Sequence, residues 1–166
     1  MFGRKKTAKP ESDGATASLR DMILRTPPNE LGFAAGDDTK LYGALMETGY
    51  AAATVTIVSL IDGTTSMYIS TGGGTIGAGE HEPVAEATRA FVAMANVLVG
   101  QTQPTTDFPL PGVGHVRFQL LTTDGGRTAE ALQDDLGHGR HPLSPLFYAG
   151  QDVVTQIRLL QESQQR

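Results

Sequence analysis

The chain has 166 residues, 39% of them hydrophobic, with no cysteine and a net charge of −5. This length fits one domain, and the lack of cysteine excludes disulfides and thiolate metal clusters and fits a reducing compartment. The acidic balance argues against a nucleic-acid-binding surface. Because no run of residues approaches the roughly 20 apolar positions of a membrane span, we predict a cytoplasmic protein with no membrane span.

Residues 1–15 are predicted to be a disordered basic tail. No apolar stretch of signal-peptide length follows its basic residues, so export is not predicted. A solvated tail and an electrostatic tether to an acidic surface both stay open as interpretations. A single α+β domain is predicted over residues 16–162, with a frayed C-terminus over residues 163–166.

The N-terminal half predicts a short helix followed by strands. Apolar residues at helical spacing indicate a helix over 17–25, which Pro27 and Pro28 end, and a loop over 29–40 follows. The segment from Leu41 to Thr48 fits a strand or a short helix, and we favour the strand.

Two segments rich in β-branched residues, 54–61 and 64–70, flank Asp62 and Gly63. This pattern predicts a hairpin with a type I′ turn, because that turn needs positive φ at both central residues. The first segment is apolar on both faces and is predicted to be a central strand.

The C-terminal half predicts a long helix, two strands and a closing helix. Apolar spacings of three and four, with Pro83 at the first position, predict a helix over 83–99. The three prolines of 101–113 argue against regular structure there. Alternation over 115–122 predicts a half-buried antiparallel strand, and Asp124-Gly125 leads into an edge-like strand over 127–132. Ser144 and Pro145 mark the start of a helix that ends near residue 162.

These elements predict an α+β fold in the order α-β-β(-β)-α-β-β-α. Successive hairpins make a mostly antiparallel sheet of about five strands, with helices packed on it.

This element order is similar to the roadblock/longin/profilin-like group of small domains. The parts that match are the leading helix, the hairpin TVTIVSLIDGTTSMYIS, the helix from Pro83, the hairpin VRFQLLTTDGGRTAEAL and the closing helix DVVTQIRLLQE. The resemblance implies a non-enzymatic homodimer that scaffolds partners, often small GTPases, and it carries over no functional residue. The segments STGGGTIGAGEHEP and HPLSPLFYAGQ resemble segments of small bacterial proteins of no assigned function, and this resemblance implies no activity.

The Gly-rich segment over 71–82 is one candidate site. Its glycines fit G-x-G-x-x-G, but a dinucleotide site needs a helix that opens within the motif, and here the helix begins only at Pro83. Glu80 stands where a phosphate-binding loop needs lysine. A bulge with a tight turn is one interpretation, and a ligand or partner that approaches bare backbone at Gly72, Gly73 and Gly74 is the other.

Two histidine clusters are the remaining candidates. His81, beside Glu82, would tend to hold a proton, which suits acid–base chemistry, although acids at the start of a helix also serve the helix dipole. His138 and His141 form a lone H-x-x-H in a loop, a weak pattern for a metal site. A solvated loop and a loop that contacts a ligand or partner are the other interpretations. We assign no catalytic residue, metal or cofactor from the sequence.

The leading hypothesis is a non-enzymatic protein-interaction or regulatory domain, homodimeric, which binds itself and another protein. Its surface would combine the Gly-rich turn with the loop 137–149. The alternative is a small ligand-binding protein or enzyme with its site at 71–82 and His81 as the acid–base group. A third hypothesis is a structural subunit of an assembly, which would leave Val92 and Val99 uncovered.

Overall fold

The chain forms seven strands and four α-helices in the computed structural model, which describes residues 19–33 and 41–166. The strands are β1 (Leu41–Gly49), β2 (Thr54–Leu60), β3 (Thr65–Ile69), β4 (Gly74–Thr75), β5 (Gln103–Thr105), β6 (His115–Thr122) and β7 (Gly125–Leu132). The helices are α1 (helical over residues 19–25), α2 (Glu82–Val97), α3 (Gln133–Gly137) and α4 (Ser144–Gln164). The predicted basic tail and part of the predicted loop 29–40 lie outside the described residues.

All seven strands form one antiparallel sheet in the order β4-β3-β2-β1-β6-β7-β5. The predicted α+β class and antiparallel sheet are confirmed, whereas the predicted five strands become seven. The two additional strands, β4 and β5, are short and lie at the two edges. Pro104 sits in β5, and an edge strand tolerates proline because one side of its backbone needs no ladder bonds. The prediction that 101–113 holds no regular structure is therefore wrong at β5.

Strand β1 occupies the centre of the sheet, and all nine of its residues are buried. The preference for a strand over a helix is confirmed there. Met46 pairs with Ile57 of β2 on one side and with Phe118 of β6 on the other. The predicted central place of β2 is confirmed in that it lies inside the sheet between β1 and β3, and β1 holds the middle position.

The turn between β2 and β3 differs from the predicted type I′ turn. Gly63 has a φ of 93°, but no non-glycine residue that the structure describes has a positive φ, so Asp62 does not take the left-handed conformation. Its carboxylate instead accepts a hydrogen bond from the backbone N–H of Thr64 at 2.9 Å. This side-chain bond stabilises an alternative turn that still joins the two strands.

Helices α2 and α4 cover one face of the sheet and pack against each other. Gly150 allows α4 to lie close to β1 and α2, because a Cβ there would lie 2.5 Å from Sδ of Met46 and 3.3 Å from Cε2 of Phe91. Helix α4 continues to Gln164, beyond the predicted end. Val92 is buried and Val99 packs against the core, so the pattern expected of a structural subunit is not seen at these two residues.

The second face of the sheet is covered by α1 and by Phe108 of the loop that follows β5. Leu24 packs there on Leu45, Val58 and their neighbours. This layer buries Gln119 completely and leaves only 16% of the Arg117 side chain exposed. The prediction that β6 is half-buried is wrong, because α1 and Phe108 form a layer that the strand's own alternation does not reveal.

Candidate functional site

The Gly-rich turn proves to be a tight hairpin between β3 and β4. Gly72 donates its N–H to the Ile69 carbonyl at 2.9 Å, and Ile69 donates to the Gly73 carbonyl at 3.1 Å. Gly74 has a φ of 145°, and a Cβ on it would overlap the carbonyl oxygen of Met67. The turn and this close backbone approach account for all three glycines.

His81 and Glu82 lie at the start of α2. His81 is the residue just before the helix and is exposed, and its ring has no hydrogen-bond partner in the described parts of the chain. Glu82 forms a surface ion pair with Arg89. His81 therefore has no neighbouring group in the described chain that would orient its ring, as an acid–base catalyst requires.

His138 and His141 each take part in local structure. Nδ1 of His138 lies 2.7 Å from the carbonyl oxygen of Asp134, and Nδ1 of His141 accepts the backbone N–H of Leu143 at 3.0 Å. Arg140 bridges the carboxylates of Asp134 and Asp135. Within residues 19–33 and 41–166, no three His, Asp or Glu side chains are grouped to hold a metal ion.

The structure does not bring the two predicted loops together. The Gly-rich turn lies beside β4, whereas His141 lines a cavity with Thr128 and Glu130 of β7. Five strand spacings separate β4 from β7, which is about 24 Å. The combined surface predicted from the sequence is therefore not formed.

A groove runs between α4 and the ends of β1, β2 and β3, and we call it the α4 groove. Its cavity is about 250 Å³. The sheet forms the floor, and one side of α4 forms a wall. The lining residues are Met46, Thr48, Tyr50, Val55, Ile57, Met67, Ile69, Gln151, Val154, Arg158 and Gln161.

The strand register and the helix period together produce this groove. Met46, Ile57 and Met67 form one cross-strand row, and the next row is Thr48, Val55 and Ile69. In α4, the fully buried Val153 and Ile157 face the core. The lining positions 151, 154, 158 and 161 follow helical spacing on an adjoining side of the helix. Strand ends that extend past α4 thus leave part of the apolar face open.

Arg158 is the one formally charged side chain among the lining residues that the structure describes. It is exposed and makes no ion pair with any residue that the structure describes. Gln161 is held in place by its hydrogen bond to Thr75 at 2.7 Å. The α4 groove is thus apolar along its floor and positive at one point of its wall, in a chain of net charge −5.

An apolar rim adjoins the α4 groove. Tyr50, Val113 and Leu132 are 47%, 67% and 48% exposed, and backbone hydrogen bonds through Gly114 hold their three segments side by side. The Gly114 N–H donates to the Gly49 carbonyl at 2.8 Å, and Gln133 donates to the Gly114 carbonyl at 2.9 Å. Tyr50 lines the α4 groove itself, and exposed large apolar side chains on adjoining segments are candidates for a binding surface.

No protein-family model matches the chain, and no curated protein and no solved structure matches it. The resemblance to roadblock-like domains therefore stays a prediction. None of the helices in the described ranges has the length and apolar character needed to cross a bilayer.

A buried polar network lies on the other face of the sheet. Glu47 of β1 is fully buried and forms an ion pair with Arg20 of α1, whose Nη2 lies 2.9 Å from Oε2 of Glu47 and 2.7 Å from the Phe108 carbonyl oxygen. Thr56 donates a further hydrogen bond to Glu47 at 3.0 Å. Burial alone lowers the pKa of Arg20, but the hydrogen bond and charge of Glu47 outweigh it, so this pKa lies above its ordinary value. The network anchors α1 to the sheet.

Sequence reasoning missed the α4 groove and its rim. The helical spacing of Gln151, Val154 and Arg158 was visible, but it does not reveal which strands lie opposite. The rim depends on contacts between Gly49, Gly114 and Gln133, which are far apart in the chain. Neither feature has a local pattern that a single sequence could disclose.

Proposed function

We propose that this protein is a non-enzymatic protein-interaction domain whose binding surface is the α4 groove with its apolar rim. The observation that carries the proposal is an apolar cavity that borders the main core and stays partly open beside α4. Met67 and Val154 pack against that core, and both line the cavity and are only partly buried. A concave apolar site bordered by aromatic and polar side chains is typical of recognition surfaces.

The polar candidates from the sequence support an interaction role over an enzymatic one. Gly72, Gly73 and Gly74 serve a hairpin, and His138 and His141 bond to local backbone. His81 is exposed and Glu82 pairs with Arg89. A partner contact at any of these residues stays a prediction.

We also propose that the protein is a homodimer, as the resemblance to roadblock-like domains implies. An exposed rim of Tyr50, Val113 and Leu132 favours self-association in the absence of another partner. Light scattering at micromolar concentration tests this state directly. A stable monomer would contradict the dimer while leaving the interaction role open.

Site-specific crosslinking in the native host cells tests the interaction role. The photoreactive residue p-benzoylphenylalanine replaces Val154 in the α4 groove, and Leu159, exposed on the same helix but not a lining residue, is the matched control position. We expect one defined protein adduct from position 154 and none from position 159. Equal adduct patterns at both positions, or no adduct at position 154, would overturn the proposal.

A further inference from the structure

The α4 groove is smaller than most cofactor sites, and its open apolar floor suits protein side chains. Ligand sites for drug-sized molecules commonly enclose about 300–1,000 Å³, and this cavity is about 250 Å³. Its walls from Gln151 to Gln161 extend about 15 Å along the helix. This length corresponds to roughly three turns of a helical segment.

The walls also specify the chemistry of an occupant. Met67, which is only partly buried, provides an unbranched, adaptable side chain that accommodates different apolar shapes. Among the described residues, Arg158 has no carboxylate partner and no acidic side chain lines the α4 groove. A complementary surface therefore carries apolar side chains for the floor and a negative charge for the wall.

We propose that the α4 groove binds a short amphipathic segment of a partner protein, with apolar side chains on the floor and an aspartate or glutamate paired with Arg158. This inference rests on the proposed function and names the partner's chemistry. Arginine suits the contact because its planar guanidinium can bind a carboxylate through two hydrogen bonds. Charge complementarity favours this occupant over a second copy paired groove to groove, because the described lining residues include Arg158 and no acidic side chain, so the groove does not complement itself.

Two fluorescent probes of the same shape separate the apolar and the charged parts of the proposal. N-phenyl-1-naphthylamine is neutral, and 8-anilinonaphthalene-1-sulfonate adds an anion that stands in for the carboxylate. We expect both probes to bind the full chain at one site, and Val154→Gln to weaken both about five-fold through lost apolar contact. The control Leu159→Gln leaves both affinities unchanged.

The charge is tested with Arg158→Gln and with Arg25→Gln, another exposed arginine that does not line the groove. We expect Arg158→Gln to weaken only the anionic probe, by about two- to five-fold, and this difference to shrink at high salt. Arg25→Gln leaves both probes unaffected. Since Arg158 is exposed, its replacement leaves the fold intact, and thermal unfolding of each variant verifies this.

The outcomes distinguish the two proposals. Equal loss of both probes, or no loss, in Arg158→Gln overturns the anionic partner while the α4 groove survives as an apolar site. Failure of both probes to bind, or binding that ignores Val154→Gln, overturns the groove and with it the proposed function. A wild-type dimer that Val154→Gln dissociates in light scattering overturns the partner segment in favour of a second copy.

Discussion

Gln119 provides a sharp test of the packing on the second face of the sheet. Its side chain is fully buried, and neither Oε1 nor Nε2 has a hydrogen-bond partner among the described residues. Burying a polar group without a partner costs about 1–3 kcal/mol. Gln119→Met removes the amide and keeps the volume, so we expect the free energy of unfolding to rise by about 2 kcal/mol.

Thermal unfolding measures this gain. For a chain of this length, each kcal/mol shifts Tm by about 2–4 °C, so we expect an increase of about 4–8 °C. Gln103→Met is the matched control, because Gln103 lies in the same cross-strand row through Thr128 but is exposed. Its effect should stay within about 0.5 kcal/mol. A Tm that falls in Gln119→Met would refute the reasoning, since it would mean that the amide is hydrogen-bonded.

Three further predictions concern the ion pair, a buried tyrosine and the glycines. Glu47→Gln removes the buried counter-charge of Arg20 and leaves, among the described residues, only the exposed Asp21, at 3.8 Å. We expect it to cost about 3 kcal/mol in urea unfolding, and a loss below about 1 kcal/mol would show that the pair does not anchor α1. Burial raises the pKa of Tyr42, so stability is full below about pH 10 and falls as the pH rises through 10 towards the folded pKa. Tyr42→Phe should reduce this alkaline loss in urea titrations at pH 8 and 10.5, and an unchanged loss would contradict the assignment. Gly79→Ala should lower Tm by an amount equivalent to about 1–3 kcal/mol, because the new Cβ would overlap the Gly63 carbonyl oxygen. The control Gly100→Ala should not lower Tm, because the space around Gly100 is open. Equal effects of the two substitutions would refute the predicted contact.

The sequence predicted the elements that its local patterns determine. The β-branched run that forms β2 and the apolar spacing of α2 each lie within one segment, and both elements formed close to their predicted bounds. The number of strands was underestimated because β4 and β5 have two and three residues, too few for a periodic signal. Glycine and proline in these segments indicated turns, and they also occur in edge strands.

The candidate site was predicted less well than the fold. Isolated glycines and histidines became site candidates because they are chemically distinctive. In the structure, Gly74 permits a close backbone approach and His141 accepts a backbone hydrogen bond. The α4 groove depends on Met67 of the sheet and Val154 of α4 lining the same cavity. Predicting this would require knowing the angle at which α4 packs on the sheet. Periodicity gives the side of a helix that is apolar, but it does not state how much of a sheet that helix covers.

The short edge strands bear on how the binding specificity of the proposed interaction surface could change in evolution. Because β4 and β5 offer only two and three residues of backbone at the sheet edges, a partner gains little by extending the sheet. Under the proposed function, selectivity would depend on individual side chains such as Tyr50, Val113 and Arg158, and single substitutions there would redirect binding while the fold stays the same.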